Sequence, residues 1–316
     1  AQAPATQAPA AQAGAAPAKP EPKITPGQAI VPPRMRRIWG ELISLDVENR
    51  TGKFRNQYTD EVMEFEVMPY AELLHHAAGG DLQDYIVTER AIFRLHEDEA
   101  GVWRHLTYIQ DEMNFFLNHG EWYFIDAIDR DSGTLTCHQA KEDESFIREE
   151  KVLVNVDDKT QFWRNGQPAA FADLKVGDKF QTKARGTGKG QGRIAWHVFL
   201  DTDSLKKFQA EQQKVHAKRM QTEGLPGYVD KVEQGAIELT LFQQGSEWAR
   251  QLKPGMTVTL AAAGKDRRAT GDRLEAKVGS AKAQGKLGTV ALETTPAVAL
   301  VFADSQPSRL LPSPLL

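Results

Sequence analysis

The chain has 316 residues, 41% of them hydrophobic, and a formal net charge of −4. That length supplies two or three cores, and the slight acidic excess leaves no overall basic footprint for nucleic acid. The single Cys137 excludes an internal disulfide and a paired-thiolate metal site, and with no apolar run of about eighteen residues no helix spans a membrane.

Residues 1–35 read as an Ala/Pro-rich extended arm. The start, Ala1-Gln-Ala-Pro-Ala-Thr6, carries almost no large apolar side chains, and repeated Pro favours extended backbone. A low-complexity start without Met looks like the mature end left by signal-peptide cleavage. It predicts an exported protein, secreted or held in a bacterial periplasm or cell envelope. Extended arms become ordered by lying on another surface, so a neighbouring subunit is the expected clamp.

Residues 36–117 form the first expected module. Strands are predicted over 38–47, 54–58 and 62–68, the last from strict period-two alternation. Pro69 then opens a short predicted helix over 70–78, closed by Gly79-Gly80. Strands over 90–96 and 102–108 follow. The order of three strands, helix and two strands is that of a five-stranded OB-like barrel.

Residues 118–201 repeat the plan, with strands over 122–129, 151–156, 180–185 and 193–199 and a loop over 157–178 in place of the helix. A linking helix is expected over 202–223, with Ser204 as N-cap and Gly224 as terminator. Its stripe of Leu205, Phe208, Val215 and Met220 is narrow, which suits a strut across the modules or a seam for another chain. Residues 224–303 supply a third OB-like barrel, with strands over 227–233, 236–242, 257–262, 274–278 and 286–292. Residues 304–316 are a Pro-rich tail whose apolar end needs a docking surface.

One phrase occurs twice. Asp173-Leu-Lys-Val-Gly-Asp178 leads into an alternating strand at Lys179, and Gln251-Leu-Lys-Pro-Gly-Met256 leads into another at Thr257. Such self-similarity marks a chain built from repeated units. Within the second module, Val154-Asn-Val-Asp-Asp-Lys-Thr160, the phrase at 173–178 and Ile194-Ala-Trp-His-Val198 resemble a family of uncharacterised exported bacterial proteins with small OB-like barrels. The resemblance implies fold and export, and it brings no catalytic residue.

Gly186-Thr-Gly-Lys-Gly-Gln-Gly192 has the glycines of a phosphate loop, but a strand follows where a helix N-terminus is needed. Its place between the last two strands of an OB-like barrel flanks the usual ligand face. There Lys183, Arg185, Lys189 and Arg193 could grip an anionic polymer, an envelope polysaccharide or single-stranded nucleic acid, with Trp163 and Trp196 as stacking surfaces. His75 and His76 are adjacent on the expected helix. Their side chains would diverge by about 100° there and would not share an ion. Asp111-Glu112 and Glu142-Asp-Glu144 read as solvated charge runs.

These features predict a mostly β fold of three tandem OB-like barrels with a linking helix and extended Pro-rich termini. No catalytic, cofactor or metal site is expected. The expected function is a non-catalytic, exported structural or assembly protein that makes subunit contacts through its barrels, N-terminal arm, linking helix and C-terminal tail. Anionic-polymer binding is the alternative.

Overall fold

A computed structural model describes residues 35–76, 78–98, 100–187, 192–233, 235–242, 245–263, 268–285, 287–294 and 307–312. The N-terminal arm at 1–34 and Lys189 lie outside the described residues. Within them the chain is mostly β and folds as three consecutive small barrels.

The first barrel begins with β1 (Arg36–Asp46), β2 (Thr51–Asn56) and β3 (Val62–His75), to which β4 (Ala78–Gly79) adds a short edge. It ends with β5 (Arg90–Glu97) and β6 (Trp103–Asp111). All pairings are antiparallel except β3 with β6, and they close in the order β1-β2-β3-β6-β5. That is the OB order. Inward residues of alternate position fill the interior, with Phe54 stacked on Phe93 at 4.0 Å between ring centroids.

The helix expected over 70–78 is not formed, because β3 continues to His75. The β3–β6 ladder shifts register between Val67 and Glu72. Pro69 falls in this gap, where its missing N–H breaks no ladder bond. A helix forms later instead, as α1 (Glu112–His119). The Asp111 carboxylate caps it by accepting the Asn114 N–H at 2.8 Å, and Gly120 at φ 68° ends it.

The second barrel starts with β7 (Glu121–Asp129), β8 (Thr134–Lys141) and β9 (Ile147–Asn155). Where a loop was expected over 157–178, β10 (Gln161–Arg164) and β11 (Gln167–Ala169) form a hairpin. Its turn is Asn165-Gly166, with φ of 51° and 68°, the pair that a type I′ turn favours. β12 (Lys179–Gly186) and β13 (Arg193–Phe199) complete the order β7-β8-β9-β13-β12, in which β9 and β13 run parallel, and β10 also pairs parallel with the end of β13. Phe115 and Phe116 of α1 insert into this second core together with Ile92 of the first barrel, so α1 is an apolar joint between the two.

α2 (Thr202–Glu223) is capped by Asp201, which accepts the Ser204 N–H at 2.7 Å, so Ser204 lies inside the helix. Leu205 packs with Met113 and Phe199, Arg219 pairs with Asp84 of the first barrel, and Met220 joins the third core. Val215 is exposed, and His216 takes the buried position.

The third barrel comprises β14 (Leu225–Glu233), β15 (Ala236–Leu241), α3 (Gly245–Ala249), β16 (Thr257–Ala263), β17 (Ala269–Gln284), β18 (Leu287–Glu293) and β19 (Pro307–Pro312). It closes as β14-β15-β18-β17-β16-β19, antiparallel throughout. The segment read as a C-terminal tail therefore contributes a barrel strand. β19 bridges β14 and β16, and Leu310 is buried in the core.

The duplicated phrase makes the same turn twice. Asp178 N donates to Lys175 O, and Met256 N donates to Lys253 O, both at 3.1 Å. Gly177 at φ 88° and Gly255 at φ 85° hold the third position, as a type II turn requires.

Candidate functional site

The strand order of the first barrel brings one rim together. β5 runs antiparallel to β6, and β6 runs parallel to β3. The start of β5 and the ends of β6 and β3 therefore lie side by side. Glu89 precedes β5, Asp111 ends β6, His75 ends β3, and His76 follows it. Their ligand-type atoms all lie within 4.8 Å of one another, and all four residues are buried.

His75 Nε2 lies 3.1 and 3.3 Å from the two carboxylate oxygens of Glu89, and its ring sits 4.8 Å from that of Tyr85. His76 has φ 53°, in the left-handed region that a bulky residue rarely adopts. That turn corrects the divergence expected on a helix, because it sets the two imidazoles side by side with centroids 3.6 Å apart. Asp111 accepts the backbone N–H of His76 through Oδ2 and that of Asn114 through Oδ1. Glu89 Oε2 accepts the Ile86 N–H at 3.1 Å. Asp111 and Glu112, read as solvated, are both buried, whereas residues 142–144 are exposed.

The second barrel closes over this rim. Gly186 N donates to Thr88 O at 2.5 Å, and Glu89 bridges to Arg185 in an isolated backbone pairing. Lys183 and His197 are cross-strand partners on β12 and β13, and Phe208 of α2 packs against both His197 and His76. Burial, then the charges of His75, Lys183 and His197, pulls the His76 pKa well below the usual imidazole value. Burial also raises Asp111, with the charge of Glu89 adding to it against His75. Burial would raise Glu89 as well, but His75 and Lys183 hold it below the ordinary range. Lys183 is lowered by burial, against the opposing charges of Glu89, Asp111 and Asp84. Two imidazoles and two carboxylates, screened from water, are a donor set suited to a divalent ion.

The described side chains expected to hold an anionic polymer are each engaged within the fold. Arg193 is buried, with Nε and Nη2 on the two oxygens of Glu112 at 2.9 Å each. Arg185 Nη2 donates to Asp157 at 2.6 Å. Lys183 lies 5.1 Å from the Trp196 ring and faces the buried rim. Trp163 donates weakly to His197 at 3.4 Å and packs against the cluster of Met113, Phe199 and Leu205. Trp196 is the extra residue where the β12–β13 register shifts, which turns its ring over Lys183. Lys189 is outside the described residues. Cys137 is fully buried, and burial pushes its thiol up to about 12, which disfavours the thiolate.

Glu89 and Asp111 were missed as partners of the two histidines. Residues 75, 76, 89 and 111 have no motif spacing, and only the OB strand order joins them. The one local signal was the helix start at Asp111, followed by an apolar pair and Gly120.

No family model matches the chain, and no curated protein is significantly similar to it. Among solved structures, one similar chain is "drosophila Unr CSD456", at 11% identity over 77% of this chain and 90% of that one, with a TM-score of 0.20. Superposition at that level carries no inference about this chain.

Proposed function

We propose that this chain is a non-catalytic, exported assembly protein that makes subunit contacts through its barrels and N-terminal arm. The observation that carries it is the joint between the first two barrels. Glu112 of α1 lies buried between Arg90 of β5, whose Nε donates at 3.1 Å, and Arg193 of β13. A buried pair of this kind fixes geometry more than it adds stability, which is what adjoining units of a scaffold need. Arg193, one of the cations that an anionic ligand would require, is held in this joint.

Large apolar side chains remain outside. Phe146, Ile147 and Leu153 are 45%, 49% and 43% exposed, on or beside β9. Among the described residues β9 meets β13 through Val154 and Asn155 alone, and the first half of β9 has no partner on that side, an edge that another copy of the chain can approach. The test is the native mass of the purified full chain. It should exceed the 35.1 kDa of one chain. Changing Phe146 and Leu153 together to Asp should return it to that mass with the far-UV circular dichroism retained. A monomer at every concentration overturns the proposal. A monomer that binds heparin with steep salt dependence moves the function to anionic-polymer binding.

A further inference from the structure

We infer that His75, His76, Glu89 and Asp111 form a closed site for one structural divalent transition-metal ion of the zinc class. The inference goes beyond the assembly function and does not depend on it. Structural zinc sites use four protein ligands and leave no open position, and imidazole nitrogen with carboxylate oxygen is an accepted set. Here the four side chains come from three strand ends that the barrel order holds together. Their residues are only 5%, 1%, 1% and 2% exposed, which leaves no route for bulk water to complete the coordination.

The decisive feature is His76. Among the described residues neither ring nitrogen has a hydrogen-bond partner, Nε2 lying 3.9 Å from Glu89 Oε1, although the residue is buried against Phe208 and His75. A buried imidazole with both nitrogens unmet is unfavourable unless something coordinates one of them. His75 Nε2 already faces both oxygens of Glu89, so an ion between them replaces a contact that exists.

The outer partners are in place too. Asp111 is oriented by the backbone N–H groups of His76 and Asn114, and Glu89 by that of Ile86. Fixed outer hydrogen bonds of this kind are what hold first ligands in a metal site.

A closed site takes up its ion as the chain folds. The full chain is therefore unfolded in denaturant with a chelator, freed of the chelator, and refolded with Co²⁺. The expected result is one Co²⁺ per chain with the intense visible absorption of four-coordinate cobalt, lost when an equal amount of Zn²⁺ competes during refolding. Zn²⁺ should also raise the thermal midpoint of the wild-type chain and not that of His76→Asn, a residue that accepts the left-handed backbone. Absence of the cobalt band overturns the site and leaves a buried ion-pair network around Lys183. Undiminished uptake by folded His76→Asn overturns it equally. Should that variant not fold, the cobalt spectrum of the wild-type chain decides alone. The native mass is a separate readout, so failure of this site and failure of assembly are distinguishable.

Discussion

Asp230 sits where the β14–β15 register shifts between Val229 and Lys231, so the bulge turns its carboxylate towards the sheet. Burial pushes its pKa up to about 6; the Thr240 hydroxyl, donating at 2.8 Å, acts against this and the charge of Glu238 adds to it. The folded chain therefore holds this proton more tightly than the unfolded chain does. Stability from this group is complete below the ordinary carboxylate value of about 4 and is lost as pH rises through about 6. Asp230→Asn should accordingly be more stable than wild type at neutral pH, and the gap should close on acidification to about pH 4. Thermal midpoints of both chains across that range test it, and parallel curves would count against it. An aspartate in an alternating strand reads as an outward residue. Only the bulge, a feature of paired strands, turns it in.

At the scale of elements, alternation and turn glycines were legible. The two Leu-Lys-x-Gly phrases gave matching turns because Gly177 and Gly255 need positive φ at any position in a barrel. The Asn165-Gly166 hairpin carried an equally local signal. Other elements were not legible. Pro69 starts a helix as naturally as it marks a ladder break, and the Pro-rich end hid β19 because Pro307 and Pro312 stand at its two limits, where a strand tolerates them. Truncation after residue 306 therefore removes a barrel strand and not a free tail. Burial of Leu310 alone contributes about 1.5–3 kcal/mol, and the unpaired edges of β14 and β16 add to the loss. Urea unfolding should show the third barrel weakened or unfolded, with amide protection lost in β14 and β16. An unchanged third-barrel transition would show that β19 does not close it.

At the scale of the molecule, the first two barrels are joined through α1, with Phe115 and Phe116 in the second core and Glu112 between two arginines. Burial opposes the charge on Glu112, and Arg193 and Arg90 overcome it, holding the carboxyl down to about 2. Glu112→Gln takes the shared carboxylate from two buried guanidinium groups, leaving Arg193 only the half-exposed Glu149 at 3.6 Å and Arg90 the Gln57 amide, at about 3–5 kcal/mol. Equilibrium unfolding should show that loss in the transition of the first two barrels and leave the third unchanged. A change below about 1 kcal/mol, the range of an exposed pair, would mean that water reaches the joint.

The sequence by itself determined the β periodicity, the glycine turns and the division into small modules, because each depends on contacts between residues near in the chain. Tertiary structure alone decided that Asp111 and Glu112 are buried, that β19 closes a barrel, and that two histidines and two carboxylates meet at one rim. Those outcomes depend on which strand ends are neighbours in space. A barrel sets that by closure, and no spacing along the chain records it.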